Sequence, residues 1–348
     1  MTMFDASLLL DPPAWPAAGY AGLADRIGRL LGTRGDVIFV QAEAVVALEA
    51  VASSLAAPSL KVLNIVTSPY GGLFGGWLRR GGAQVTDLVA EPARPVTVEA
   101  VKAALDAGGR VDAIALVHAE SASGILNPLE GIAALAKARG SLLVVDAVAS
   151  VGGHPLDVDA LGIDIAVIGP QKALAGPAGV SAVSVSAKAW ALIDRPGAPV
   201  DSVLSLLDQK RGWLDTGRGA LPGTPPALEF HALDAALARI EQEGLENVLH
   251  RHAAAAAEAR AGLAALGLEP FETGERASNL VTAVALPDAV DLGRLTALDI
   301  AVKAELTAGV GPGAERLVRI NHTGRRADPA IVRATLAALA QALHRVGR

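Results

Sequence analysis

Two side chains of this sequence are suited to covalent carbonyl chemistry. Asp146 ends the apolar run Leu142-Leu-Val-Val145, and Lys172 follows the apolar run Ile163-Asp-Ile-Ala-Val-Ile-Gly169. Both runs, and the Val180-Ser-Ala-Val-Ser-Val-Ser186 run after them, read as short buried strands, rich in Val and Ile and bounded by Gly, Pro or Asp. Ligands gather at the carboxyl ends of strands in open α/β sheets, so the acid and the amine are expected in one crevice. A lysine amine condenses with an aldehyde to give a Schiff base. An acid against a pyridine nitrogen keeps that ring protonated and able to accept electrons. Together they are what pyridoxal chemistry requires. Neither is diagnostic alone: an acid at a strand end also caps turns, and a lone lysine is ordinarily a solvated charge. Lys172 departs from that ordinary case because Gly169-Pro-Gln-Lys-Ala-Leu174 lies between apolar runs, where a free charge is costly.

The elements around this pair alternate. Helices are expected over Gly22–Leu31, within Gln41–Leu55 after a strand-to-helix turn, and over Leu73–Arg80, Thr97–Ala107 and Pro128–Arg139. Strands are expected over Asp36–Val40, Lys61–Val66, Ala83–Leu88 and Ala113–Val117. That order predicts an α/β protein with a mainly parallel sheet covered by helices on both faces. Asp201–Pro226 reads as loop. Two helices, Ala227–Glu243 and Gly244–Leu266, lead into a smaller unit with strands at 280–286, 300–304 and 317–321 and helices near 291–298 and 329–345. The expected division is an irregular Pro-rich arm (1–20), a large domain (21–240) and a small α+β domain (241–348).

Composition narrows the class. Hydrophobic residues make up 51% of the 348 and aromatics only 3%, so Ala, Val and Leu must fill the core. The net charge of −6 has no basic block to set against it, which argues against a nucleic-acid partner. There is no cysteine, which excludes disulfides and thiolate chemistry. No secretory signal and no uncharged apolar run of spanning length is visible, so no membrane partner and a cytoplasmic location are expected. No metal site is expected.

Three pieces, His118-Ala-Glu-Ser-Ala-Ser-Gly124, Val144-Val-Asp-Ala-Val-Ala-Ser-Val-Gly-Gly153 and Gly169-Pro-Gln-Lys-Ala-Leu174, together resemble the class V aminotransferases of the type I pyridoxal-phosphate fold. The resemblance extends from about Gly35 to the C-terminus and covers two branches, the alanine–glyoxylate (serine–pyruvate) type and the pyridoxamine–pyruvate type. It implies that Lys172 holds the aldehyde, that Asp146 holds the ring nitrogen, and that Tyr70 stacks on the ring. Val148 and Gln171 also fall on cofactor-binding positions. Either His118 or Ser121 would donate a hydrogen bond near the phenolic oxygen, unless both simply cap the turn. Arg319, in Leu317-Val-Arg-Ile-Asn321, matches the arginine that grips the substrate carboxylate, as a planar guanidinium can do with two parallel hydrogen bonds. The implied reaction moves an amino group between a small amino acid, such as alanine or serine, and a small 2-oxo acid, pyruvate or glyoxylate. Thr224 matches a phosphate contact lent by the partner subunit of a homodimer with shared sites. The family's longer leader, which approaches the substrate, looks truncated. Without a cysteine, the related desulfurases are excluded.

The cofactor's phosphate is where the sequence departs from most relatives. They have Gly, Ser and Thr in the turn that opens the helix near position 43, which suits an anion. Here the turn reads Gln41-Ala-Glu-Ala-Val45, with Glu43 at the serine position, leaving the backbone of Ala44 and Val45 to meet any phosphate. A phosphate carries about −1.5 to −2 charge. An opposed unit charge at ~4 Å costs up to roughly 4 kcal/mol at an effective dielectric of about 20, more than the roughly 1 kcal/mol that a helix terminus offers. Helix N-termini also favour acids, so Glu43 is alternatively an ordinary first-turn residue. The pyridoxamine–pyruvate branch has a glutamate here and takes unphosphorylated pyridoxal or pyridoxamine as substrate. Pro170 and Ser202-Val-Leu-Ser-Leu-Leu-Asp208 also match it. Val310 and Thr224 resemble the phosphate-bound branch instead, and Leu221 replaces a tyrosine of many relatives.

Two other classes compete. A catalytically silent binding protein of the same fold is suggested by the short leader and altered turn, and opposed by the joint presence of Asp146, Lys172 and Arg319. A nucleotide-binding dehydrogenase is suggested by Gly309-Val-Gly-Pro-Gly-Ala314, but strands are expected on both sides and the helix that motif needs is missing.

Overall fold

The computed structural model describes residues 10 and 12–347. Its main sheet has seven strands: β1 (Asp36–Val40), β2 (Lys61–Val66), β3 (Gln84–Val89), β4 (Ala113–Val117), β5 (Leu142–Asp146), β6 (Ile165–Ile168) and β7 (Ser181–Val185). They lie in the order β1-β7-β6-β5-β4-β2-β3. Neighbours from β6 to β3 are parallel, and β7 runs against both β6 and β1. A parallel sheet covered on both faces needs nearly continuous apolar strands, and every residue of β4, β6 and β7 is buried.

The helices joining these strands are α1 (Gly19–Leu31), α2 (Ala44–Leu55), α3 (Pro69–Arg80), α4 (Val98–Gly108), α5 (Leu129–Arg139), α6 (Val158–Leu161) and α7 (Ala187–Ile193). Their starts follow local chemistry. The Thr97 hydroxyl accepts the Ala100 N–H at 3.1 Å to open α4, and Pro69 occupies the first turn of α3, where a missing N–H costs nothing. Then follow α8 (Leu206–Gln209), α9 (Ala227–Glu243) and α10 (Leu245–Ala265). A second, antiparallel sheet has the order β8 (Val281–Ala285), β10 (Leu317–Asn321), β9 (Thr307–Ala308), and packs with α11 (Leu292–Ala297), α12 (Asp299–Lys303) and α13 (Pro329–Val346). One apolar core runs from Tyr20 to Val248, and another from Ala255 to Ala342. α10 contributes Val248 to the first and Ala255, Ala259 and Leu263 to the second. The few aromatics gather where they bury most: Tyr20 and Phe39 both meet Phe230 edge-on, at 4.8 and 5.3 Å.

Two expectations need correction. Residues 300–304 form no strand, because α12 covers them. A short apolar run has no period long enough to separate helix from strand, and here only Ala301 is buried while Asp299 pairs with Lys303 one turn on, at 2.9 Å. The third strand of the small sheet is instead Thr307–Ala308. The supposed loop 201–226 holds α8, capped by Ser205, and a π-helical turn over Lys210–Leu214 that buries Trp213. Part of the expected N-terminal arm lies outside the described residues. The rest, up to α1, is irregular, and Trp15 packs edge-on against His231 at 4.9 Å.

Candidate active site

The carboxyl ends of neighbouring strands converge on one cleft of about 420 Å3 including its opening. β5 ends in Asp146, β4 leads to Ala119, Glu120 and Ser121, and β2 leads to Tyr70 at the start of α3. β1 leads to Glu43, Ala44 and Val45 at the start of α2, and β6 leads through Gly169-Pro170-Gln171 to Lys172. Val148 completes this wall. This is the crevice position that parallel sheets offer to ligands.

Asp146 and Lys172 have opposite charges in a poorly solvated place. Burial raises the Asp146 carboxyl to about 6, against the stabilising Val148 N–H, which it accepts at 3.0 Å, and the Lys172 charge; the Glu43 carboxylate pushes it further up. Burial pulls the Lys172 ammonium below its ordinary range; Glu43 and Asp146 act against this and Arg319 with it. The lysine sits in a tight turn. Ala175 N–H donates to the Lys172 carbonyl at 2.9 Å and Gly176 N–H to the Pro170 carbonyl at 2.8 Å, with Ala175 at φ +47. A left-handed alanine is strained, and such strain gathers at functional sites. From the small unit, Gly324 presses on this turn: a Cβ there would lie 2.9 Å from the Lys172 carbonyl.

Glu43 is the N-cap of α2, not a first-turn acid. Its Oε2 accepts the Val45 N–H at 2.8 Å, and its Oε1 accepts from Gln171 Nε2 at 2.7 Å. The chain thus places its own carboxylate on the helix terminus where an anion would bind, and ties it to the residue before Lys172. Glutamate is not among the preferred N-caps, and the bond to Gln171 supplies the second partner.

Arg319, on β10, is half-buried. One Nη donates to the Ser121 carbonyl, its Nε is buried without a partner among the described residues, and burial depresses its pKa. Tyr70 is 40% exposed and lines the cleft. His118 stands apart. Its backbone N–H donates to the Asp146 carbonyl at 3.0 Å, but the residue is not on the cleft wall; its ring lies 5.7 Å from that of His154, and burial, then His154, hold it neutral with a pKa of about 3. Of the two expected donors, Ser121 is the one that faces the cleft. Thr224 is exposed and does not line the cleft of its own chain, and Leu221 is buried.

Glu120 carries more chemistry than its sequence context suggests. It lines the cleft, is 1% exposed, and accepts from Thr67 Oγ1 at 2.5 Å, while Asn127 Nδ2 donates to that same hydroxyl at 3.0 Å. Its Oε2 is buried and unpartnered, as is the nearby Ser68 hydroxyl, whose pull on the carboxyl is felt without a formed hydrogen bond. Burial raises Glu120 to about 7 despite Thr67 and Ser68, and Asp146 adds to the rise. The acid within His118-Ala-Glu120 was the available signal. Its partners lie far away in sequence.

This donor set fits a pyridine aldehyde: a buried amine for the aldehyde carbon, a carboxylate fixed by a backbone N–H for the ring nitrogen, and Tyr70 and Val148 as flat and branched walls for the ring. The family model for aminotransferase class V matches residues 18–338. The chain is 35% identical to the pyridoxamine–pyruvate transaminase of Mesorhizobium japonicum, over 94% of this chain and 84% of that protein. Among solved structures, pyridoxamine–pyruvate aminotransferase from Mesorhizobium loti superposes with a TM-score of 0.87 at 34% identity, covering 94% of this chain and 84% of that one. Alanine–glyoxylate aminotransferase from Nostoc sp. gives 0.85 at 28%, covering 97% and 91%. The chain belongs to the class V aminotransferases, enzymes of the type I fold.

Proposed function

From that membership we propose that this aminotransferase moves an amino group between unphosphorylated pyridoxal or pyridoxamine and a small 2-oxo acid, with Lys172 as the amine that takes the aldehyde. The observation that carries the choice of B6 form is the Glu43 cap, which occupies the Val45 N–H and sets a carboxylate where a phosphate would otherwise sit. The similarity to pyridoxamine–pyruvate transaminase supports the same reading. When bound, the B6 ring supplies the electron sink for amino transfer.

Each residue then has a task. Lys172, its proton loosened by burial, would supply the amine for the aldehyde and the base that moves a proton at the substrate carbon. Asp146, held by the Val148 N–H, would meet the ring nitrogen and keep it protonated. Tyr70 stacks on the ring, and Ser121 hydrogen-bonds beside it. Arg319, anchored on one side by the Ser121 carbonyl, presents its remaining N–H groups to the substrate carboxylate. A symmetric homodimer would bring Thr224 of one subunit to the cleft of the other, and its exposure supports that role; a monomeric mass in solution would contradict it.

A second reading, alanine– or serine–glyoxylate transamination with bound pyridoxal phosphate, is favoured by Thr224 and Val310. Borohydride reduction of the protein incubated with pyridoxal tests what both share. The label should fall on the peptide holding Lys172, and labelling of Lys188 or Lys210 instead would remove Lys172 from this role.

A further inference from the structure

Beside the cleft lies a second cavity, of about 710 Å3 including its opening, between the start of α3, the 89–93 segment after β3, and the 310–314 loop of the small sheet. The segment Glu120-Ser-Ala-Ser123 separates the two spaces: Glu120 and Ser121 line the cleft, while Ala122 and Ser123 line the cavity. Arg319 sits at this divide. Its guanidinium holds the Ser121 carbonyl, its backbone pairs with Thr307, and the loop that forms the far wall begins three residues beyond Thr307.

The glycines that resembled a nucleotide fingerprint build that wall. A Cβ at Gly309 would lie 1.8 Å from the Ala314 carbonyl oxygen, and one at Gly311 would lie 2.7 Å from the Pro69 ring. The loop therefore reaches the start of α3 only because side chains are missing there.

The lining is mostly apolar, including Val66, Pro69, Val89, Ala122, Pro312 and a Val310 that is 54% exposed. Among the described residues no cation lines it, and its one charged residue is the acid Glu91. Ser123 is 3% exposed and its hydroxyl has no partner among the described residues. A mostly apolar concave space with a few polar groups, Ser123 among them, is the form that organic-ligand sites take.

We propose that this cavity receives the side chain of the 2-oxo acid or amino acid whose carboxylate Arg319 holds, and that it selects uncharged aliphatic chains of several carbons over a second carboxylate. This rests on the carboxylate role given to Arg319 in the proposed function, and extends it from the smallest 2-oxo acids to longer ones. The apolar wall favours each added methylene. Glu91 and the absence of a cation disfavour dicarboxylic substrates.

The test is calorimetric titration of the protein, without B6, with acetate, butyrate, hexanoate and adipate. Wild type should bind more tightly by up to about fourfold per methylene from acetate to hexanoate, and adipate should bind more weakly than hexanoate. Gly72→Leu, at a cavity-lining helical position where a Cβ meets nothing within 4 Å, should abolish the chain-length dependence and leave acetate binding unchanged. Val310→Asp, at an exposed position, should weaken hexanoate about tenfold relative to acetate. Affinity that is flat with chain length, or a chain-length dependence that survives both substitutions, would overturn the proposal. Because no B6 is present, either result stands apart from the labelling of Lys172: a labelled lysine with flat affinities sinks only the cavity, and the reverse sinks only the B6 reading.

Discussion

Two regions of this molecule treat their buried polar groups differently. At the seam between the sheets, three histidines are satisfied. His322 donates from Nδ1 to the Asn279 carbonyl at 3.1 Å and meets Thr282 Oγ1 with Nε2 at 2.8 Å. His252 donates to the Val248 carbonyl at 2.8 Å and accepts the Gly324 N–H at 3.0 Å. His154 accepts the Asn279 N–H at 3.0 Å. His154 and His252 each accept a backbone N–H on one ring nitrogen, so both must be neutral. Burial holds all three near 4, 4 and 3 for His154, His252 and His322, with Arg260 adding repulsion on His154 and His322. In the cleft the pattern reverses. Among the described residues, Glu120 Oε2 on its wall and Gln171 Oε1 and Arg319 Nε beside it are buried and unpartnered, and the strained Ala175 lies close to Lys172 in sequence. The seam histidines use their ring nitrogens to specify structure, whereas the unpartnered groups around Lys172 stand where perturbed, functional groups gather.

Substitutions should separate the two regions. The largest effect is expected at Lys172. Lys172→Ala should lose at least three orders of magnitude in turnover, with no loss in unfolding free energy, since it removes a poorly solvated amine. Turnover near wild type would move the chemistry elsewhere. Arg319→Ala comes next. Loss of a bidentate, partly buried charge pair costs about 3–5 kcal/mol, so kcat/KM for the 2-oxo acid should fall by two orders of magnitude or more while pyridoxal binding is nearly kept. An unchanged rate with pyruvate or glyoxylate would take Arg319 out of the site.

The seam predicts stability effects without catalytic ones, and its pH sign is fixed. The folded histidines titrate far below the unfolded value near 6.5, so the unfolded chain binds more protons as pH falls. Stability should therefore decline from about pH 6.5 down towards pH 4. His322→Gln should remove about 3 kcal/mol of that decline, as urea unfolding at pH 7 and pH 4.5 would reveal. An identical pH slope in the variant would count against the seam's role.

Glu120 should show the opposite sign and a smaller effect. Its carboxyl is raised to about 7, so the folded chain binds the extra proton and stability is lost as pH rises from about 4.5 through 7. Glu120→Gln keeps the Thr67 contact and should gain about 2 kcal/mol over wild type between pH 5 and pH 8. A difference independent of pH would mean that Glu120 is not held neutral.

How much of this was legible in the sequence depends on range. Strands β1, β2, β4 and β10 and helix α9 have the bounds expected from sequence. Asp146, Lys172, Tyr70, Ser121, Val148 and the Glu43–Val45 turn were readable as one cleft because all follow strand ends of one sheet. What was hidden is long-range: the Gln171 bond that turns Glu43 into a cap, the Thr67 and Asn127 chain behind Glu120, and the packing of Gly311 on Pro69. The misread segments fail for a local reason, since α12 and the π turn are short and buried at only one or two positions.

The decisive measurement is affinity for pyridoxal against pyridoxal phosphate, on wild type and on Glu43→Ser. Serine is a good N-cap, so the fold should be kept while the carboxylate leaves the α2 terminus. With the helix end occupied by its own acid, wild type should prefer pyridoxal, and Glu43→Ser should gain at least tenfold in affinity for the phosphate form. Tight binding of pyridoxal phosphate by wild type, unchanged in Glu43→Ser, would contradict the account.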